Sequence, residues 1–170
     1  MNVIIRPEAP LDLRRIWTVN QSAFASDSEA NLVNELRDSG YVELSLVAEF
    51  DGEIVGHILF SRVIVATNQG SLKTLSLAPL AVSPSHQRQE IGSKLVQTGV
   101  SLCSQRGYQL ILVLGHPDFY PRFGFSAELA RCIEPPFGGG ESWMALELAP
   151  GVLDGVEGRV EFSPPFMKLE

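Results

Sequence analysis

The sequence predicts an α/β protein of the α+β kind, a mixed and mostly antiparallel sheet with helices on both faces. Three observations carry that expectation. Two apolar runs, Leu44 to Phe50 and Ile54 to Val65, flank Asp51 and Gly52, a dipeptide strongly associated with tight hairpin turns. Between Leu75 and Leu114 a strand, a helix and a second strand follow in order, which is a crossover whose two strands lie parallel. The chain has 170 residues at 45% hydrophobic content, enough for one core and too short for two comfortable ones, so residues 1–170 read as a single domain.

The elements follow in chain order. Val3 to Ile5 is a β-branched run that suits a first strand, and Leu11, Ile16, Val19 and Phe24 then recur at roughly helical spacing. A second helix is expected from about Asp27 to Asp38. Ser26 and Glu29 match the S-x-x-E capping box, Leu32, Val33 and Leu36 form its apolar stripe, and Gly40 ends it, so Glu29 reads as a cap rather than a catalyst. After the hairpin, Thr67 to Ser71 is a second turn and Leu75 to Val82 returns as a strand. Ile91, Leu95, Val96, Val100, Leu102 and Cys103 mark the buried face of a helix closed by Gly107, and Leu110 to Leu114 is compact enough to be buried on both sides. Beyond it the spacing predicts a single helical turn, a strand from about Phe125, and late strands over Trp143 to Leu148 and Arg159 to Phe162. The PPFGGG loop, Pro135 to Gly140, lacks the preceding strand and following helix of a phosphate site and reads as a loop.

Composition narrows the partners. The chain carries 13 basic and 20 acidic residues, a net charge of -7, which argues against nucleic acid, because phosphate-backbone affinity comes from clustered Lys and Arg. Its two cysteines, Cys103 and Cys132, have neither metal-ligand spacing nor a disulfide framework, and both read as small core residues in a reducing compartment. The N-terminus MNVIIRPEAP lacks the pattern of a secretory signal, and no window approaches the roughly 18 apolar residues of a membrane span. The expected location is cytoplasmic, with no membrane partner.

The stretch LAPLAVSPSHQRQEIGSKLV, Leu77 to Val96, resembles the acetyl-CoA-binding motif of the GNAT superfamily of N-acetyltransferases: a strand, then R/Q-x-x-G-x-G/A, then a helix. Gln87, Glu90 and Gly92 occupy the three defined positions. The N-terminal IIRPEAPLDL and the FYPRFGF segment extend the similarity over most of the chain, and LAPLAV, LVLGHP and FYPRFGF look most like the bacterial YhbS-like branch of predicted acetyltransferases. The resemblance implies a sheet splayed at its central parallel pair, with acetyl-CoA as co-substrate lying in the gap. It implies a diphosphate held by main-chain N–H groups at a helix start, here Arg88, Gln89, Glu90, Ile91, Gly92 and Ser93. It further implies a pantetheine arm hydrogen-bonded along Leu80, Ala81 and Val82, and an amine acceptor, small molecule or protein. Late strands of this fold can pair between subunits, which leaves a homodimer open.

Glu90 stands where the family usually has glycine. If that position requires a positive φ, glutamate costs about 1–2 kcal/mol, and a carboxylate about 6 Å from a phosphate charge repels it by about 3 kcal/mol at an effective dielectric of about 20. The main-chain donors survive the substitution, and Glu90 is expected to swing outward toward Lys94, four residues on. An alternative function is a catalytically silent acyl-CoA-binding module with the same fold. For the chemistry, the N–H of Ala81 or Val82 can meet a tetrahedral oxyanion. Tyr120 matches the family's proton donor, a tyrosine shortly before a glycine-phenylalanine pair, and a phenol with a pKa near 10 stays protonated at neutral pH. For a general base, Glu49, His57 and Glu141 remain open. Asp118 is expected to cap the turn that holds Tyr120, and His116 to border the strand end. The acceptor pocket is expected from about Phe24 to Asn31 and Phe137 to Trp143.

Overall fold

The computed structural model describes residues 2–135 and 138–168; Phe137, at one end of the expected acceptor pocket, lies outside them. The elements are β1 (Ile4–Pro7), α1 (Leu13–Phe24), α2 (Ser28–Asp38), β2 (Val42–Phe50), β3 (Glu53–Thr67), β4 (Gly70–Val82), α3 (Ile91–Gln105), β5 (Leu110–Leu114), α4 (Ala127–Ala130), β6 (Ile133–Glu134), β7 (Trp143–Glu147) and β8 (Gly158–Glu161). The sheet runs in the order β1, β2, β3, β4, β5, β7, and β8 pairs with both β3 and β6. The long meander is antiparallel; β4 with β5 and β6 with β8 are parallel.

The hairpin between β2 and β3 turns on Asp51 and Gly52, with φ of 50° and 76°, the left-handed pair that a two-residue turn of this kind requires. Along β3 the side chains alternate as a strand's must. Ile58 and Phe60 face the cluster that contains Ile91, Leu95 and Val96 of α3, while Leu59 faces the cluster built by Ile16, Val19, Leu32, Val33 and Leu36 of α1 and α2. Helices therefore cover both faces, and β3 is buried on both sides from Ile54 to Ser61, beyond which buried and exposed residues alternate. Small residues let α3 sit close: a Cβ at Gly99 would come within 2.4 Å of Phe60 Cε2, and one at Gly56 within 3.1 Å of Ile91 Cγ2. That seating holds the N-terminus of α3 at the end of β4.

The sheet opens at its parallel pair. β4 and β5 are in register only over Thr74 to Ser76 against Leu110 to Leu112. In the pairing of β3 with β4, Phe60 meets Leu77 and Ile58 meets Leu80, so β4 carries one extra residue at Ala78 and Pro79. A bulge of this kind bends its strand, and Pro79 has no N–H to lend to a neighbour. The result is a gap between Leu77 to Val82 and the end of β5.

Three local expectations differ from the structure. The capping box does not form: the cap of α2 is Asp27, without a side-chain cap bond, and Ser26 Oγ accepts from Ser28 N at 3.1 Å instead. Ala25 takes a left-handed conformation (φ 52°) that folds α1 sharply into α2, and Ser26 N, the donor Glu29 would have used, is spent on Gln21 O at 3.3 Å. No strand starts at Phe125; Ser126 makes a single bridge to Ala145 and its hydroxyl caps α4 through Leu129 N at 3.2 Å. Asp118 caps nothing, because the turn Tyr120–Phe123 starts from Phe119 without a side-chain cap bond. Cys103 is buried and Cys132 half-buried, both as free thiols. Among the described residues no helix is long and apolar enough to cross a membrane.

Candidate active site

A cavity of about 550 Å³ occupies the gap. Its walls are Ala23 and Phe24 of α1, Leu80 and Val82 of β4, His86 to Arg88 and Glu90 to Ser93 of the loop and helix start, and His116, Phe119, Tyr120 and Arg122. Of the residues singled out by sequence, Leu80, Val82, Gln87, Arg88, Glu90, Ile91, Gly92, Ser93 and Tyr120 share this one surface. Ala81 and Gln89 do not line it. The Ala81 side chain packs on the opposite face with α1 and α2, as alternation along β4 dictates, and Gln89 is exposed.

Main-chain groups on this wall point into the gap. Ser83 N donates to Val55 O of β3 at 2.8 Å, so alternation turns the N–H and C=O of Leu80 and Val82 away from β3, toward the open side, and those of Ala81 toward β3. Gln87 Nε2 donates to Val82 O at 3.1 Å and ties the loop to the strand end. The first bond to the Glu90 carbonyl comes from Lys94 N at 3.1 Å, which leaves the N–H groups of Ile91, Gly92 and Ser93 without intrahelical acceptors. Together with the partial positive charge of a 15-residue helix, they form an anion-attracting terminus.

Glu90 is the cap of α3 and has φ 66°; Arg88 has φ 63°. The conditional strain at Glu90 is therefore real. The expected ion pair of Glu90 with Lys94 is absent among the described ion pairs. Its left-handed backbone places Glu90 outside the helical register in which residues four apart meet, and the side chain is exposed at the cavity wall.

Tyr120 is held between aromatic neighbours, with ring centroids 5.0 Å from Phe119 and 5.6 Å from Phe125, both edge-on. Only 7% of its surface is exposed, and burial pushes its phenol up to about 12. The same cause raises the Cys103 thiol to about 12. The ring lies against Gly115, where a Cβ would come 2.4 Å from Tyr120 Cε2.

None of the three candidate bases lines the gap. Glu49 pairs with Arg6 at 3.3 Å, and Glu141 lines a separate cavity beside Glu134 and Trp143. His57 is fully buried between β2 and α1. Asn20 Nδ2 donates to His57 Nδ1 at 3.1 Å, so the proton sits on Nε2 and is donated to Ser45 Oγ at 2.9 Å. Desolvation lowers the His57 pKa to about 3. Below about pH 6.5 the unfolded chain takes up a proton that the native one refuses, so stability falls as pH falls, by about 1.4 kcal/mol per pH unit down to the folded pKa. Urea unfolding at pH 7 and pH 5 is expected to show about 2 kcal/mol of loss from this group, and His57→Gln to remove that part of the slope.

Sequence reasoning missed Arg122 and gave His116 and Glu29 structural roles, yet all three face the cleft region. Arg122 stacks on Phe119 at 4.7 Å. His116 and Tyr120 border both the first cavity and a second, of about 570 Å³, and Glu29 borders the second. The GHP following the strand was a readable signal for His116; the direction of Glu29 depends on the elbow at Ala25 and had none.

The chain is 36% identical over 170 residues to YhbS of Escherichia coli K12, described as an uncharacterized N-acetyltransferase, covering 98% of this chain and 100% of that one. The crystal structure of the Escherichia coli GNAT family N-acetyltransferase YhbS in complex with CoA superimposes with a TM-score of 0.91 at 34% identity, over 100% of this chain and 94% of that one. A GNAT family acetyltransferase from Brucella melitensis in complex with acetyl-CoA gives a TM-score of 0.81 at 30% identity, over 97% and 98% of the two chains. The model of the acetyltransferase (GNAT) family matches residues 11–125. A sheet split beside a helix terminus, and likeness along nearly the whole length, lead to one conclusion: the chain belongs to the acetyltransferase (GNAT) family.

Proposed function

We propose that the protein is an N-acetyltransferase that moves the acetyl group of acetyl-CoA directly to a primary amine in a ternary complex, in a reducing, cytoplasmic setting. The observation that carries this reading is the open edge of β4 beside the start of α3, with Tyr120 on the same wall. Relatives of this chain are known in complex with CoA and with acetyl-CoA, and the residues present here fit that ligand. The free N–H groups of Ile91, Gly92 and Ser93, with Arg88, suit a diphosphate. A Cβ at Gly92 would meet only ordinary contacts, 3.7 Å from Phe119 Cζ, so close approach of a ligand, rather than packing, is what the glycine permits. The carbonyl of Leu80 and the main-chain groups of Val82 suit the two amides of pantetheine.

Bound acetyl-CoA supplies an activated thioester. The amine nitrogen attacks its carbonyl carbon and the C–N bond forms; the N–H of Leu80, which borders both cavities with Tyr120, donates to the oxygen that becomes negative. As the C–S bond breaks, the Tyr120 hydroxyl donates to the departing sulfur, and the proton given up by the nitrogen balances the one the thiolate gains.

Calorimetric titration of CoA into the wild-type protein and Glu90→Gly tests the site. Glycine removes the left-handed strain and the nearby carboxylate. Because Glu90 is exposed, screening leaves only part of its repulsion, and binding is expected to tighten about tenfold. Absence of CoA binding to the wild type overturns the reading; unchanged or weaker binding by Glu90→Gly overturns the repulsion at Glu90. Release of free thiol from acetyl-CoA across an amine panel separates the enzyme from a silent binding module.

A further inference from the structure

We propose that Glu29 is the anchor for the acceptor's ammonium group, and that the acceptor is an unhindered primary amine on an apolar chain, with no carboxylate beside its nitrogen. This rests on the acetyltransferase reading above. The second cavity joins the coenzyme gap through Phe24, Leu80, His116 and Tyr120, which border both. An acceptor must come from a space that meets Tyr120, and this space does.

In its wall, Glu29 Oε2 is closed off from solvent and accepts no hydrogen bond from the described residues. A buried carboxylate oxygen without a donor is costly, and an ammonium group is one partner that would offset that cost. The chain had a local way to satisfy this oxygen and does not use it. The capping box would have given Glu29 the N–H of Ser26, and the Ala25 elbow commits that N–H to Gln21 O instead. The carboxylate is thereby left without its local donor, in a residue that borders the cavity.

The rest of the wall sets the ligand class. Neither lysine nor arginine borders this cavity, and its other titratable groups are His116 and Tyr120, the latter a neutral phenol well past neutral pH. Phe24, Leu32, Leu77 and Leu114 are apolar. A carboxylate with apolar surroundings favours an ammonium on a hydrocarbon stem. A second carboxylate one carbon from the nitrogen would lie beside Glu29, with no lysine or arginine bordering this cavity to meet it, and like charges at that range repel. α-Amino acids are therefore disfavoured.

The test uses n-hexylamine as probe. Calorimetric titration of n-hexylamine into CoA-saturated protein is expected to show binding by the wild type, at least tenfold weaker binding by Glu29→Gln, and intermediate binding by Glu29→Asp. CoA affinity should stay unchanged in both variants, and Glu29→Gln should melt no lower than wild type, since it removes an unpaired buried charge. The neutral isostere 1-hexanol should bind wild type and Glu29→Gln equally, and norleucine should bind neither. With acetyl-CoA, KM for n-hexylamine is expected to rise at least tenfold in Glu29→Gln. If CoA binds but n-hexylamine does not, or binds Glu29→Gln as tightly as wild type, the anchor is refuted while the coenzyme site stands. Norleucine bound as well as n-hexylamine refutes the exclusion of carboxylates.

Discussion

Tyr120→Phe is expected to lower turnover by about 100-fold or more while leaving the dissociation constant of CoA within about twofold. The phenol is buried among Phe119, Phe125 and Gly115, so the phenylalanine ring occupies the same space and only the hydroxyl is lost. A positioned proton donor in acyl transfer contributes typically about 10²–10⁴-fold, and the coenzyme's diphosphate is gripped elsewhere, at Ile91 to Ser93. Steady-state kinetics with a reactive amine, paired with CoA calorimetry, checks both halves. Turnover equal to wild type would remove Tyr120 from the mechanism. The pH profile adds an independent reading. Burial holds the phenol protonated up to about 12, so its ionisation is expected to produce no basic limb between pH 7 and pH 10; a limb in that window that vanishes in Tyr120→Phe would contradict the assignment.

Gly115→Ala is expected to damage both stability and turnover without touching the coenzyme's phosphates. The added methyl would lie 2.4 Å from Tyr120 Cε2 and 3.0 Å from Cδ2. The backbone cannot easily yield, because Gly115 N is hydrogen-bonded to Ser142 O at 2.9 Å. The ring must move instead, into one of the two cavities it borders. Overpacking of this kind costs about 1–3 kcal/mol, visible in urea unfolding, and a displaced hydroxyl misses the sulfur, so turnover should fall at least as far as in Tyr120→Phe. The two substitutions act on one group and should not add. In a Tyr120→Ala background Gly115→Ala should cost little further stability or activity. A stable, fully active Gly115→Ala protein would show that the ring's position is not what turnover depends on.

The sequence by itself determined the fold's frame. Asp51 and Gly52 set the first hairpin because both adopt the left-handed backbone that turn demands, and the run from Leu75 to Leu114 pointed to a parallel crossover because one helix between two strands returns the chain to the starting edge of the sheet. It also brought Gln87 to Ser93 to a helix start, since an apolar strand end, a polar loop and an amphipathic helix follow one another directly. Only the tertiary structure decided which face each polar side chain meets. His57 lies under α1 rather than in the gap because one residue's shift along β3 exchanges the two faces, and the bulge at Ala78 and Pro79 that sets the registry of β4 leaves no periodic trace. Glu29 matched a capping box in every local respect; the elbow at Ala25 between α1 and α2 took its donor away and left it beside the cavity. Local patterns dictate elements because their energies are local; the direction of a charge depends on contacts made by residues far apart in the chain.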